Sequence, residues 1–203
     1  FNFPKFETDI VPEWLSQFRV SDRPGQWSIN PAARYPTSFY GTTDVVYYYY
    51  ILGLMDTLSE ADKDEWADVI NGFQDSRTGQ YIPLDWERWA GLYPWHASGS
   101  AITALALLDR PQKTRYSATF AVEIARNRSS WEPWLHHFLN ASAVPRFAIF
   151  FRPGHNPTTD DGVMWHSSHA IAAVPCVLET TRQGNVSANQ DFFEWYFKYL
   201  NSE

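Results

Sequence analysis

Three apolar runs rich in small residues recur along the chain, each after a polar cluster. They are Thr42–Leu58, Tyr93–Leu108 and Met164–Leu178, and the last two carry the dipeptide Trp-His near their start. Runs of this length favour helices over strands. A segment with apolar residues at helical spacing follows each run: Asp62–Gln74, Thr114–Ala125 and Asn189–Leu200. This alternation predicts helical hairpins that stack on one another to bury their apolar faces.

The repeat organises the chain into a single all-α domain over residues 1–203. An N-terminal arm covers 1–41, and the hairpins cover about 42–74, 96–126 and 165–201. Ser59 and Asp62 form a predicted capping box at the second helix of the first hairpin. Two long loops, Asp75–Trp95 and Arg152–Trp165, lead into the later hairpins. Long loops inside compact domains are usually functional. Short helices are also predicted over Pro12–Phe18 and Trp131–Leu139.

The exit of the first hairpin carries a further pattern. The predicted outer helix there ends in Gln74 and is followed by a short turn, Gly79 and Tyr81. This segment resembles the repeat of the terpenoid cyclase and protein prenyltransferase superfamily. The resemblance implies an α/α-toroid, a ring of helical hairpins that several polysaccharide lyases and glycosidases share. A closed toroid needs more hairpins than this sequence supplies. We therefore expect a partial ring, which a homo-oligomer or the remainder of a longer chain completes.

The composition limits the kinds of partner that the protein is expected to bind. The net charge is -7 with only 16 Lys and Arg residues, and no basic cluster is present, so nucleic acid is not an expected partner. The longest apolar stretch, Val45–Met55, is too short to span a bilayer, so a soluble protein with no membrane partner is predicted. The 10 Trp residues suit sugar rings, isoprenoid chains or cations. The expected partner is a polysaccharide or another small-molecule ligand.

The repeat also predicts where a site forms. Asp44, His96 and His166 stand at equivalent starts of the predicted inner helices. Parallel inner helices bring their N-termini to one end of a central cavity, where they favour anionic ligands or developing negative charge. We therefore predict that these three side chains share a cavity mouth. Each also has a structural interpretation: Thr43 or Asp44 as a helix N-cap, and His96 and His166 as packing residues.

Further candidates come from the loops and from the tyrosine run. They comprise possible acids or bases and possible substrate contacts: Asp85, Trp86, Glu87, Arg88, Trp89, His155, Asp160 and Asp161 from the loops, with Tyr47 and Tyr48 from the first inner helix. Asp160 and Asp161 are also typical of a solvated turn, and Trp86 and Trp89 of a loop cover.

The leading functional hypothesis is a carbohydrate-active α/α-toroid protein that works in an aromatic cleft as a polysaccharide lyase or a glycoside hydrolase. In the lyase version Arg88 neutralises a uronate carboxylate, His96 or His166 takes the α-proton, and a tyrosine protonates the leaving oxygen. In the hydrolase version two of the loop carboxylates do the chemistry. The alternatives are an isoprenoid cyclase-like enzyme, which stabilises a carbocation on aromatic faces, and a non-catalytic helical scaffold.

The sequence constrains the cofactor and the cellular compartment less than it constrains the fold. No cofactor is expected; a divalent metal is the alternative, because His166 and His169 share a helix face at i and i+3. Three Asn-x-Ser sequons, at Asn127, Asn140 and Asn185, are compatible with secretion, and the sequence shows no signal peptide.

Overall fold

The structure, a computed structural model, describes residues 5, 10–31, 36–83, 94–139 and 160–201, with backbone alone at 94–95, 137–139 and 160–170. The described ranges fold into eight α-helices and contain no strand. The helices are α1 (Val11–Ser16), α2 (Phe39–Ile51), α3 (Glu60–Asn71), α4 (Pro94–Leu107), α5 (Thr119–Arg126), α6 (Trp131–Leu139), α7 (Asp160–Thr181) and α8 (Val186–Leu200). The all-α prediction is confirmed over these ranges, whereas the toroid and the hairpin repeat stay predictions.

Several helix boundaries follow from local sequence signals. The predicted capping box is present at α3, where the Ser59 side chain accepts from the Asp62 amide and the Asp62 side chain accepts from the Ser59 amide. The helix predicted over Trp131–Leu139 forms with those bounds. Capping and helical periodicity act within one turn, so the sequence alone carries these signals.

Two predicted helix starts that bear on candidate residues are wrong. The N-cap of α2 is Ser38, whose side chain accepts a hydrogen bond from the Gly41 amide, so Asp44 lies in the second turn and is not a cap. The α7 helix begins at Asp160, so the segment 160–165 is helical rather than part of a loop. Asp160 and Asp161 therefore do not form the solvated turn that the sequence indicated.

The α4 helix lies at the centre of the helix packing, because it contacts both α2 and α7. The α3 helix packs against α2 and α4, and α5 packs against α7 and α8. The α2 and α4 helices run in the same direction, since Tyr40 near the start of α2 contacts His96 near the start of α4, and Tyr47 further along α2 contacts Ser100 further along α4. Parallel α2 and α4 are what the predicted hairpin array requires of its inner helices.

The segment that carries the superfamily resemblance forms a compact turn. Gln74 pairs with Tyr81 in an isolated antiparallel bridge, and the Gln74 side-chain amide donates to Gly79 O at 3.0 Å. Gly79 adopts φ +72°, and a Cβ there would lie 2.7 Å from Arg115 O. Both the left-handed backbone and the close approach therefore require glycine at this position.

Two glutamine side chains fasten the linker between α4 and α5. Gln74 Nε2 donates to Thr114 O at 2.6 Å and Gln74 Oε1 accepts from Thr114 N at 2.7 Å. From the linker after α7, Gln183 Nε2 donates to Tyr116 O at 2.7 Å and Gln183 Oε1 accepts from Ala118 N at 3.1 Å. Each carboxamide thus pairs with backbone donors and acceptors as a neighbouring strand would. These bonds engage the backbone of Thr114, Tyr116 and Ala118 outside any helix, and α5 begins at Thr119 and not at Thr114.

Candidate functional site

The starts of α2 and α4 bring a tyrosine and a histidine together. Tyr40 is the second residue of α2 and His96 the third residue of α4. Their rings are stacked with centroids 5.6 Å apart and an interplanar angle of 23°. Tyr40 Oη lies 3.3 Å from His96 Nδ1, within hydrogen-bond distance. Tyr40 is 5% exposed, while His96 is half-buried. The pair couples a titratable ring to a phenol at the first turn of two parallel helices.

The role of each nitrogen in this pair follows from the tautomer. If His96 Nδ1–H donates to Tyr40 Oη, then Nε2 keeps its lone pair and can accept a proton. In the reverse arrangement Tyr40 donates to Nδ1, and Nε2 carries the hydrogen. The direction of the hydrogen bond between Tyr40 Oη and Nδ1 therefore corresponds to the state of Nε2. Nε2 is a base when Nδ1 donates and a hydrogen-bond donor when Nδ1 accepts.

A set of hydroxyl groups links the same two helices just beyond the pair. We call it the α2–α4 seam, and it consists of Thr43, Tyr47 and Ser100. Tyr47 Oη donates to Ser100 O at 2.7 Å, Ser100 Oγ donates to Thr43 Oγ1 at 3.2 Å, and Thr43 Oγ1 donates to Tyr40 O at 3.3 Å. Burial raises the pKa of the Tyr47 hydroxyl well above its ordinary value, so this group remains a donor at neutral pH.

The structure places three further sequence-predicted candidates on α2. Asp44 is exposed and lies one helical turn after Tyr40. Tyr47 has its hydroxyl bonded to the α4 backbone, so it joins helices in this structure. Tyr48 is 41% exposed and meets the ring of Trp14 on α1 edge-on, with centroids 5.8 Å apart. Tyr47 and Tyr48 thus point to different neighbours, as consecutive helical residues must.

The remaining candidates lie outside the described side chains. His166, His169, Asp160 and Asp161 are placed on α7 by their backbone only. Asp85, Trp86, Glu87, Arg88, Trp89 and His155 fall in ranges that the structure does not describe. The predicted meeting of Asp44, His96 and His166 at one mouth therefore stays a prediction. Asp44 on α2 and His96 on α4 do lie on adjoining helices, and the first turns of these helices are in contact.

Among the described side chains, no group of three or more His, Cys, Asp or Glu residues is arranged to hold a metal ion. The alternative metal pair, His166 and His169, lies outside that set. In the described part of the chain, no helix combines the length and apolar character needed to cross a bilayer. Two of the sequon asparagines, Asn127 and Asn185, are exposed.

Tyr40 and the seam residues Thr43 and Ser100 were missed from the sequence. A signal for the seam is present: Ser98, Ser100 and Thr103 interrupt an otherwise Ala- and Leu-rich helix, and hydroxyls in such a setting need partners. Tyr40 gives no comparable signal, because its partner His96 is 56 residues away.

Comparison of this chain with protein-family models, with curated proteins and with solved structures found no match.

Proposed function

We propose that this chain is a carbohydrate-active protein of the α/α-toroid type and that it acts as a polysaccharide lyase on a uronate-containing polymer. The observation that carries the proposal is the contact between Tyr40 Oη and His96 Nδ1. A lyase needs a base for the proton next to the carboxylate and an acid for the leaving oxygen, and this contact couples one of each. The hydrolase version needs two carboxylates instead, and its candidates, Asp85, Glu87, Asp160 and Asp161, lie outside the described side chains.

The proposed reaction is a β-elimination. His96 Nε2 takes the proton on C5 of the uronate, the electron pair of that C–H bond forms the C4–C5 double bond, and the bond from C4 to the glycosidic oxygen breaks. Tyr40 gives its hydroxyl proton to the leaving oxygen and regains one from His96 Nδ1–H. The proton count balances, because the proton gained at Nε2 replaces the one lost at Nδ1. Arg88 is our assignment for the group that neutralises the carboxylate.

The experiment is a screen of acidic polysaccharides, monitored by the ultraviolet absorbance of the unsaturated uronate product. The parent should generate this absorbance on at least one uronate polymer. Tyr40→Phe and His96→Gln should each lower the rate by roughly 100-fold or more, the usual contribution of a general acid or base. Tyr50→Phe is the matched control, since Tyr50 is on the same helix but 60% exposed, and it should retain the parent rate.

Two results would count against the proposal. Release of reducing ends without ultraviolet absorbance would indicate hydrolysis instead. Equal rates for Tyr40→Phe and Tyr50→Phe on an active substrate would show that the pair takes no part in the reaction.

A second candidate, the non-catalytic helical scaffold, is favoured by exposed apolar side chains on three helices. On α1 and α2, Trp14 is 44% and Ile51 74% exposed; on α8, Phe197 is 55% and Leu200 50% exposed. Such surfaces suit contacts with a further hairpin or a second copy. Light scattering of the full chain tests the scaffold, which predicts association and is contradicted by a monomer at all concentrations. Because a partial toroid also associates, only the absence of activity in the polysaccharide screen separates the scaffold from the lyase.

A further inference from the structure

The buried residues of α4 include both small and large side chains. Ala97, Ala101 and Ala104 are each 0–1% exposed, and Ile102 and Leu105 are 2% and 1% exposed. Helices are normally held in register by side-chain ridges that fit into grooves. A directional interaction between α2 and α4 adds to this packing, because a hydrogen bond is sensitive to a small axial shift.

The α2–α4 seam supplies that interaction next to the His96–Tyr40 pair. Tyr47 Oη donates to Ser100 O and Ser100 Oγ donates to Thr43 Oγ1 across the two helices, and Ser100 follows His96 by one helical turn. Thr43 Oγ1 in turn donates to the Tyr40 carbonyl within α2. Thr43 is 0% exposed, so water does not replace its partners. The Tyr40 Oη to His96 Nδ1 distance of 3.3 Å is already long for a hydrogen bond, and a lengthening of roughly 0.3 Å ends it.

We infer that Thr43, Tyr47 and Ser100 are positioning residues that hold the register of α4 against α2 and thereby keep the hydrogen bond between Tyr40 Oη and His96 Nδ1. Their relevance to catalysis rests on the proposed function, but the structural claim does not. The three hydroxyls contact backbone and one another, and they act on the imidazole only through the helix that carries it. Loss of one hydroxyl lets α4 shift, the bond to Tyr40 is lost, and the His96 ring returns to the tautomer balance of a histidine without this partner.

The test is the ¹⁵N chemical shift of the His96 ring nitrogens, recorded on the full chain at a pH where the imidazole is neutral. His96→Gln identifies the signals. Thr43→Val removes one hydroxyl at nearly constant shape, and Thr43→Ser retains it. We expect Thr43→Val to move both ring signals in the same direction as Tyr40→Phe does, and Thr43→Ser to leave them at the parent values. Ser59→Ala, a destabilising change at the start of α3, should also leave them unchanged.

The double variant Tyr40→Phe/Thr43→Val tests whether Thr43 acts through Tyr40. If it does, Thr43→Val produces no further shift once the Tyr40 hydroxyl is absent. Parent-like His96 signals in Thr43→Val, alongside shifted signals in Tyr40→Phe, would overturn the inference and leave the catalytic pair intact. Parent-like signals in Tyr40→Phe would overturn both. Intact coupling in a chain with no lyase activity would overturn the proposed function alone.

Discussion

Gln74→Glu is the sharpest test of how the linker between α4 and α5 is held. The change replaces a carboxamide by a carboxylate of the same shape. The glutamine Nε2 donates to Gly79 O and Thr114 O, and a carboxylate cannot donate to either. The bond from Thr114 N to the side-chain oxygen remains. Two carbonyl oxygens therefore lose a donor and face a negative charge at a half-buried position.

The expected cost follows from the two lost bonds. Each is worth about 0.5–1.5 kcal/mol net, so the variant should be less stable by about 2 kcal/mol. For a domain of this length that corresponds to a fall in Tm of roughly 4–8 °C. Because the two carbonyl oxygens disfavour the charged carboxylate, the pKa of a glutamate here is raised on folding. As the pH falls through this raised folded pKa, the glutamate becomes protonated and can donate a hydrogen bond again. The loss of stability caused by Gln74→Glu therefore becomes smaller at acid pH.

The assay is thermal unfolding followed by circular dichroism at neutral and at acid pH. Gln80→Glu is the control, because it adds the same charge nearby at a side chain that forms no hydrogen bond within the described structure. It should unfold within about 0.5 kcal/mol of the parent, as ordinary surface changes do. If Gln74→Glu and Gln80→Glu have the same Tm at neutral pH, the Gln74 carboxamide does not hold the linker.

Two other stability predictions use matched positions. Gly79→Ala should lower the denaturation midpoint more than Gly53→Ala, since both glycines have positive φ but only Gly79 has a backbone atom within 2.7 Å of the added Cβ; equal midpoints would contradict the close approach. Ser59→Ala should cost about 1 kcal/mol as a lost N-cap. Because the bonds from Ser59 lower the pKa of Asp62, the parent gains stability from that carboxylate above its unfolded pKa and loses it as the pH falls through the folded value. Urea denaturation against pH should therefore show a shallower acid dependence in the variant than in the parent.

Helix boundaries that depend on neighbouring residues could be predicted from the sequence. Helix boundaries that depend on contacts with distant residues were misplaced. The Ser59–Asp62 box and the α6 bounds depend on residues within one turn. The start of α2 was misplaced because Thr43 and Asp44 are residue types common at an N-cap. The Thr42 and Thr43 hydroxyls are instead buried inside the helix, and Thr42 Oγ1 donates to Gly25 O, 17 residues away in the arm. A polar residue inside a helix is indistinguishable from a cap until its tertiary partner is known.

The candidate site divides along the same line. His96 was found because it recurs beside Trp near the start of an apolar run, which is a periodic signal. Tyr40 was not found, since nothing within its own helix marks it. Tyr47 was found as one of four consecutive tyrosines, but its contact with Ser100 O depends on the packing of α4. A sequence shows which reactive side chains are present. Which of them contact each other depends on the register of the two helices that carry them.

Tyr81 connects the motif behind the superfamily resemblance to the candidate site. Its amide donates to the Oγ of Ser98 at 3.2 Å, and Ser98 lies two residues after His96. Its ring lies 6.5 Å from that of Phe39, which precedes Tyr40. Tyr81 is 2% exposed, so it braces the starts of both helices that carry the pair. Since the Gln74 side chain donates to Gly79 O, two residues before Tyr81, Gln74→Glu should perturb the His96 ring signals, whereas Ser59→Ala should not. Unchanged His96 signals in a folded Gln74→Glu chain would show that the motif supports the linker alone.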